Sequence, residues 1–328
     1  MENLSKESFP QNSVNEAWSA PKSYFKMEEI LHGMRDRSRF KRLAGQNTNE
    51  EYLESSEGEL FKQRKIISPD DPAIQKIYDF RKKYFSADEA GSLETVKSAI
   101  KEGWIFDIIE DENGNIISYL SSIYTSSEKD NQKYGSLFLG FIATDKHSQK
   151  RGFGEELLFN SYVYALENAR SQNEIIQGII GECVNESEIF FNKMGYKRIY
   201  FTSDHGDIQE VPYQCAPNDW NKNTGEPLLK PVSEHLMLRL ISGANSTKTD
   251  ELTQMIKPAY EKCYIFPKEF FDNQDAFENN KKSVTRQFED LDKELRRAQG
   301  DELLLMSADE REQKQIELQP NNKKIIEI

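Results

Sequence analysis

The chain has 328 residues, enough for one large domain or two ordinary ones, with 37% hydrophobic and 30% charged residues and a net charge of −13. That acidic balance, with no long basic patch, argues against nucleic acid as a partner and favours a cationic or amine-bearing small molecule. Three cysteines (Cys183, Cys215 and Cys263) form no Cys-x-x-Cys pair, which points to a reducing compartment and away from a disulfide framework or a metal site. No stretch approaches the roughly 18 apolar residues of a membrane span and the first residues lack an apolar signal core, so a cytoplasmic protein without membrane contact is expected.

Residues 1–56 are polar and weakly periodic. They read as a partly disordered extension, dispensable for cofactor binding, in which Met27 to Leu43 forms a short basic amphipathic helix at the surface. A domain over 57–241 follows. "FKQRKIIS" reads as a strand, and "DPAIQKIYDFRKKYF" as a helix with Asp71 capping and Pro72 in the first turn. "SADEAGSLETVKSAIKEG" reads as one further helix closed by Gly103. "WIFDIIED" and "NIISYLSSIY" alternate around Asn113-Gly114, the signature of a hairpin. "SLFLGFIATD" is a buried strand, Gly154–Ser171 a helix, "IIQGIIGECV" a strand and "NESEIFFNKMG" a short helix stopped by Gly195. "YKRIYF" and "EHLMLRL" are the last strands. The polar stretch between them, 202–233, is either the wall of a pocket or a surface insertion. Residues 242–328 read as a helical extension with a loose tail, suited to self-association or a protein partner. The order predicts an α+β fold: a mixed, mostly antiparallel sheet flanked by helices, with a helical C-terminal extension.

The segment "SQKRGFGEELL" joins a buried strand to a helix. A helix N-terminus offers unpaired N–H groups and the positive end of a dipole, and Gly152 and Gly154 let an anion approach the backbone. A pyrophosphate across Lys150 to Glu155 is the chemistry implied. Neither Gly-x-Gly-x-x-Gly nor a Gly-Lys-Ser/Thr ending is present, which excludes the usual dinucleotide and nucleoside triphosphate turns.

"IATDKHSQKRGFGEELL" resembles the acyl-coenzyme A signature of the GCN5-related N-acetyltransferases, Gln/Arg-x-x-Gly-x-Gly/Ala, met by Gln149, Gly152 and Gly154. "ESEIFFNKMGYKR", about thirty residues on, resembles the second signature of that family. The likeness covers roughly residues 60–240 and implies the acyl-CoA N-acyltransferase fold. It further implies transfer of an acetyl group from acetyl-CoA to a primary amine, by direct attack in a ternary complex and without a metal. The strand edge at Ile142, Ala143 and Thr144 would pair with the pantetheine arm, and the amides of Lys150, Arg151, Gly152, Phe153, Gly154 and Glu155 would take the pyrophosphate. Asn185 and Ser187 would flank the pantetheine. Two positions depart from the pattern: Phe191 stands where a tyrosine often protonates the departing thiolate, and Phe138 where an acidic base often sits. Glu182 is the best substitute base, with His235 and Asp107 behind it, and Tyr196 or Tyr200 the nearest hydroxyls. The same departures support the alternative of a catalytically lapsed acyl-CoA-binding regulatory protein. The acceptor stays open among small amines, amino acids, peptides and proteins.

Overall fold

In the computed structural model, residues 21–45, 49–203, 206–217, 219–230, 232–298 and 301–318 are described. The chain opens with α1 (Lys22–Arg37), β1 (Phe40–Ala44), β2 (Glu50–Ser55) and β3 (Leu60–Ile66). Next come α2 (Ala73–Tyr84), α3 (Ala87–Ala90), α4 (Leu93–Lys101), β4 (Ile105–Glu110), β5 (Ile116–Lys129) and β6 (Gln132–Thr144). The middle holds α5 (Phe153–Gln172), β7 (Ile175–Cys183), α6 (Asn185–Lys193) and β8 (Lys197–Thr202). Short strands β9 (Ile208–Glu210), β10 (Gln214–Cys215) and β11 (Val232–Ser233) precede β12 (His235–Leu240) and β13 (Ser246–Lys248). The chain closes with α7 (Thr249–Tyr264), α8 (Gln274–Leu295), β14 (Glu302–Met306) and α9 (Ala308–Leu318). No described helix is long and apolar enough to cross a membrane.

Among the described residues one large sheet runs β1-β2-β3-β4-β5-β6-β7-β12-β8-β14-β13, with β9 on β8. Its pairings are antiparallel except β6–β7, which is parallel with α5 as the crossover. On one face, α2, α4, α7 and α8 cover Phe106, Tyr119, Phe138, Ile180 and Leu238. On the other, α1 and α5 cover Leu120, Leu137, Leu139, Ile179 and Met237. The mixed, mostly antiparallel sheet flanked by helices is therefore present, and helices follow it in the C-terminal region as expected.

Four expectations need correction. The sheet begins at Phe40 and not near residue 57: β1 pairs with β2 and β2 with β3, while Phe40 and Leu53 are buried. The helix over Met27 is no surface ornament, since Tyr24, Met27 and Met34 are buried and the Tyr24 hydroxyl donates to the Ala169 carbonyl at 3.0 Å. Each such buried side chain contributes about 1.5–3 kcal/mol. Residues 1–20 lie outside the described residues. The single helix read from 86 to 103 is two, because Gly91 at φ 63° and ψ −166° breaks it and Ser86 and Ser92 each cap a new start. The C-terminal region is not an appendage either: β14 pairs with β8 and β13 with β14, and α7 packs on β5 and β6.

Candidate functional site

The site begins where β6 and β7 part. Their parallel pairing runs from Tyr134–Ile175 to Leu139–Gly181 and then stops. Beyond it β6 stays paired on its other edge, Leu120 with Ile142, Tyr119 with Ala143 and Ser118 with Thr144. A bulge causes the divergence: Leu120 faces Ile142 but Ser122 faces Leu139, so Gly140 and Phe141 together oppose Ser121. The Phe141 amide donates to Ser121 Oγ at 2.9 Å, which holds the bulge. Only glycine fits at 140, because a Cβ there would stand 2.8 Å from the Trp104 ring.

β6 then feeds the glycine turn. Lys150 has φ 64°, Gly152 φ 103°, and α5 starts at Phe153 with no side-chain cap; the Glu155 amide already donates to the Gly152 carbonyl at 3.0 Å, which leaves the Phe153 and Gly154 amides for an anion. The Asp145 carboxylate accepts from the His147 amide at 2.9 Å, from Lys83 at 2.8 Å and from the Tyr84 hydroxyl. The Lys83 hydrogen bond foremost holds its carboxyl below the usual range. Arg39, from the segment before β1, braces the turn by donating to the Lys150 carbonyl at 2.7 Å. At Gly154 a Cβ would lie 3.3 Å from the Phe190 ring, so the small residue lets α5 approach α6.

Between turn and splayed strands lies a groove of about 780 Å³. Ile142, Ala143, Thr144, Gln149, Lys150, Gly152, Phe153, Gly154, Glu155, Ser187 and Glu182 all line it, as do the cations Arg39, Lys146 and Lys193. Three expected residues do not line it. Arg151 turns away, its guanidinium 5.1 Å from the Phe61 ring centre and paired with Glu59. Asn185 Oδ1 is taken by Arg198 at 3.1 Å and by His235 Nε2 at 2.7 Å. His235, whose Nδ1 lies 2.5 Å from Glu210, is thus locked in an ion-pair network with Glu188, Arg198 and Glu210 behind the groove. The strand pairing that sets His235 opposite Cys183 carries its ring into that network.

Glu182, at the end of β7, sits at the inner end of the groove. Its Oε1 accepts from the Tyr264 hydroxyl at 2.8 Å and from the Tyr213 hydroxyl, and its Oε2 lies 3.0 Å from Tyr264. Glu234 lines the same groove, with Cys215 Sγ 3.8 Å from its Oε1. Burial raises both carboxyls above the ordinary range, and the Glu182 charge pushes Glu234 further. Beyond Glu182 opens a smaller cavity of about 50 Å³, which shares Gly140, Phe141 and Glu182 with the groove. Asp107 belongs to neither: it is 1% exposed and interacts with Ser161 of α5, on the opposite face of the sheet from the Phe106 side.

A bulged strand that leaves a parallel partner and runs into an uncapped glycine turn decides the architecture. This is the arrangement that the sequence's resemblance to the GCN5-related N-acetyltransferases implies. No family model matches the chain, and no curated protein does. Among solved structures, similarity is found to an acetyltransferase of this family from Staphylococcus aureus (15% identity over 55% of this chain and 99% of that one, TM-score 0.35). Another is Arabidopsis thaliana NAA60 in complex with acetyl-CoA (12% identity over 56% of this chain and 99% of that one, TM-score 0.38). A third is the AtaT toxin bound to the C-terminus of the antitoxin AtaR (18% identity over 42% of this chain and 84% of that one, TM-score 0.32).

Phe191 lines the groove from the core side: it lies edge-on to Tyr196 at 5.2 Å and fills the space above Gly181. Phe138 lies edge-on to Trp104 at 6.1 Å. Tyr196 shares a 2.6 Å hydrogen bond with Tyr162 under α5, and Tyr200 packs with Ile208 and Met306, so neither is a groove residue. The tyrosine hydroxyls at the site belong to Tyr84, Tyr213 and Tyr264. Sequence reasoning missed these three and Arg39. Tyr213 sits in the polar 202–233 stretch, while Tyr264 and Arg39 lie in segments assigned to extensions, and only the chain's return to β7 and the turn brings them in.

Proposed function

We propose that the protein is an acyl-CoA-dependent N-acyltransferase that moves an acetyl group from acetyl-CoA to a primary amine. The observation that carries this reading is the continuous groove from the uncapped α5 turn, along the free edge of β6, to the half-buried carboxylate of Glu182. The α5 N-terminus with Arg39, Lys146 and Lys150 suits a pyrophosphate, and the edge at Ile142 to Thr144 suits an amide-bearing arm. Glu182 takes one proton from the acceptor ammonium. The freed nitrogen forms a bond to the thioester carbonyl carbon, the C–S bond breaks, and the second nitrogen proton passes to the sulfur, leaving amide and free thiol. Tyr213 and Tyr264 keep the Glu182 carboxylate oriented.

A second reading, acyl-CoA binding without turnover, draws on Phe191, whose ring has no proton to give the thiolate. Calorimetry with acetyl-CoA tests what the two readings share, and free thiol release over an amine panel separates them. Gly154→Asp puts a carboxylate on the turn and should lower acetyl-CoA affinity more than tenfold in a protein that still folds. Unchanged affinity would remove the groove from both readings.

A further inference from the structure

The smaller cavity beyond Glu182 has charges of both signs. Glu182 and Glu102 supply carboxylates, Lys262 and Arg81 cations, and Trp104, Phe106, Phe138, Phe141 and Phe266 an aromatic wall. Arg81 is the unusual member. It is 3% exposed, its guanidinium lies 4.1 Å from the Phe141 ring centre, and it spends one N–H on the Glu89 carbonyl at 3.1 Å. Its Nε has no hydrogen-bond partner among the described residues, although the guanidinium also interacts with the Tyr119 hydroxyl and the Glu89 side chain. A buried guanidinium N–H without an acceptor is costly, and a carboxylate is the group that satisfies it best. The far side of the cavity is closed by the segment after α7, which Asn280 holds through the Phe266 amide at 3.0 Å and the Tyr264 carbonyl at 3.2 Å. The cavity is small, about 50 Å³, and opens toward the groove at Gly140, Phe141 and Glu182.

We propose that this cavity takes the acceptor as a free amino acid with a compact apolar side chain, its amine toward Glu182, its carboxylate on Arg81 and its side chain on the aromatic wall. The proposal rests on the acyltransferase reading of the groove. It places the acceptor amine beside Glu182 where cavity and groove meet, so that Glu182 can take its proton while the nitrogen faces the thioester end of the groove. A simple cationic amine would leave the Arg81 Nε–H without an acceptor. A zwitterion matches both signs.

The test is a ligand-observed NMR titration of the full chain with L-valine, with isobutylamine, which lacks the carboxylate, and with isobutyrate, which lacks the amine. L-valine should bind at least tenfold tighter than either. Ala99→Phe, which fills the cavity from α4, should abolish L-valine binding while calorimetric acetyl-CoA affinity stays unchanged. Isobutylamine binding as tightly as L-valine, or L-valine binding untouched by Ala99→Phe, would overturn the proposal. Absent L-valine binding beside normal acetyl-CoA binding would overturn it alone. L-valine binding in the expected pattern with no acetyl-CoA binding would instead fell the transferase reading, and the acceptor role with it.

Discussion

Glu182 and Asp107 are both acidic side chains at sheet positions, and what each touches separates their roles. Glu182 has two tyrosine hydroxyls and lines a groove, while Asp107 is sealed in the core with Ser161 beside it. Under the proposed chemistry only ionised Glu182 accepts a proton, so turnover should rise with pH as it deprotonates, with a midpoint above the ordinary carboxylate range. Glu182→Gln should cost roughly a hundredfold in kcat and erase that midpoint from the pH–rate profile, with acetyl-CoA affinity unchanged. Normal turnover with the same profile would reject Glu182 as the base. Asp107 gives a stability prediction instead. Burial pushes its carboxyl from 3.8 up to about 7. A carboxyl with a raised folded-state pKa favours folding only while protonated, so its contribution is complete below about pH 4 and is lost as pH rises through about 7. The span corresponds to about 4 kcal/mol. Urea unfolding across that range should show stability falling with pH, and Asp107→Asn should flatten the curve; an equal slope in the variant would refute the assignment.

At the scale of elements, the site depends on how strands and helices end. The Ser121 bulge ends the β6–β7 pairing, the uncapped α5 start presents the turn, and the C-terminus of α7 delivers Tyr264. Asn280, fully buried on α8, fixes the chain after α7 by both ends of its amide. Asn280→Ala strands a buried N–H and a buried C=O and should lower stability by about 3 kcal/mol. Since Tyr264 loses its anchor, the same variant should also shift the midpoint of the pH–rate profile, an effect that plain destabilisation does not produce. Equilibrium unfolding and the pH profile of the folded fraction measure the two separately.

For the whole molecule, the residues flanking the sheet's middle are structural members. α1, β1 and β2 bury Tyr24, Met27, Met34, Phe40 and Leu53, and Arg39 braces the turn. A chain starting at Glu57 would expose the β3 edge and the apolar face of α5, so it should aggregate or lose cooperative unfolding and near-ultraviolet dichroism. Soluble, cooperative behaviour in that shortened chain would show that the rest of the core suffices.

Local chemistry determined a good deal. Asn113-Gly114 dictates the β4–β5 hairpin, alternation and apolar runs dictate the central strands, and Gly152 and Gly154 mark the turn at α5. These features depend on neighbours within a few residues, so a short stretch of sequence contains their cause. The ends of β5 and β6 were less legible: Thr125–Lys129 and Gln132–Gly135 are polar, and their pairing rests on the positive φ of Asp130 and Asn131. Segments 21–56 and 242–318 have polar averages that hide a few buried anchors, so composition set them apart while contacts with α5, β6 and β8 drew them in. The surroundings of Glu182 were decided by tertiary structure alone. Tyr213 and Tyr264 come from positions 31 and 82 residues away, and no local pattern encodes a meeting that only the packing of α7 and the 202–233 segment against β7 creates.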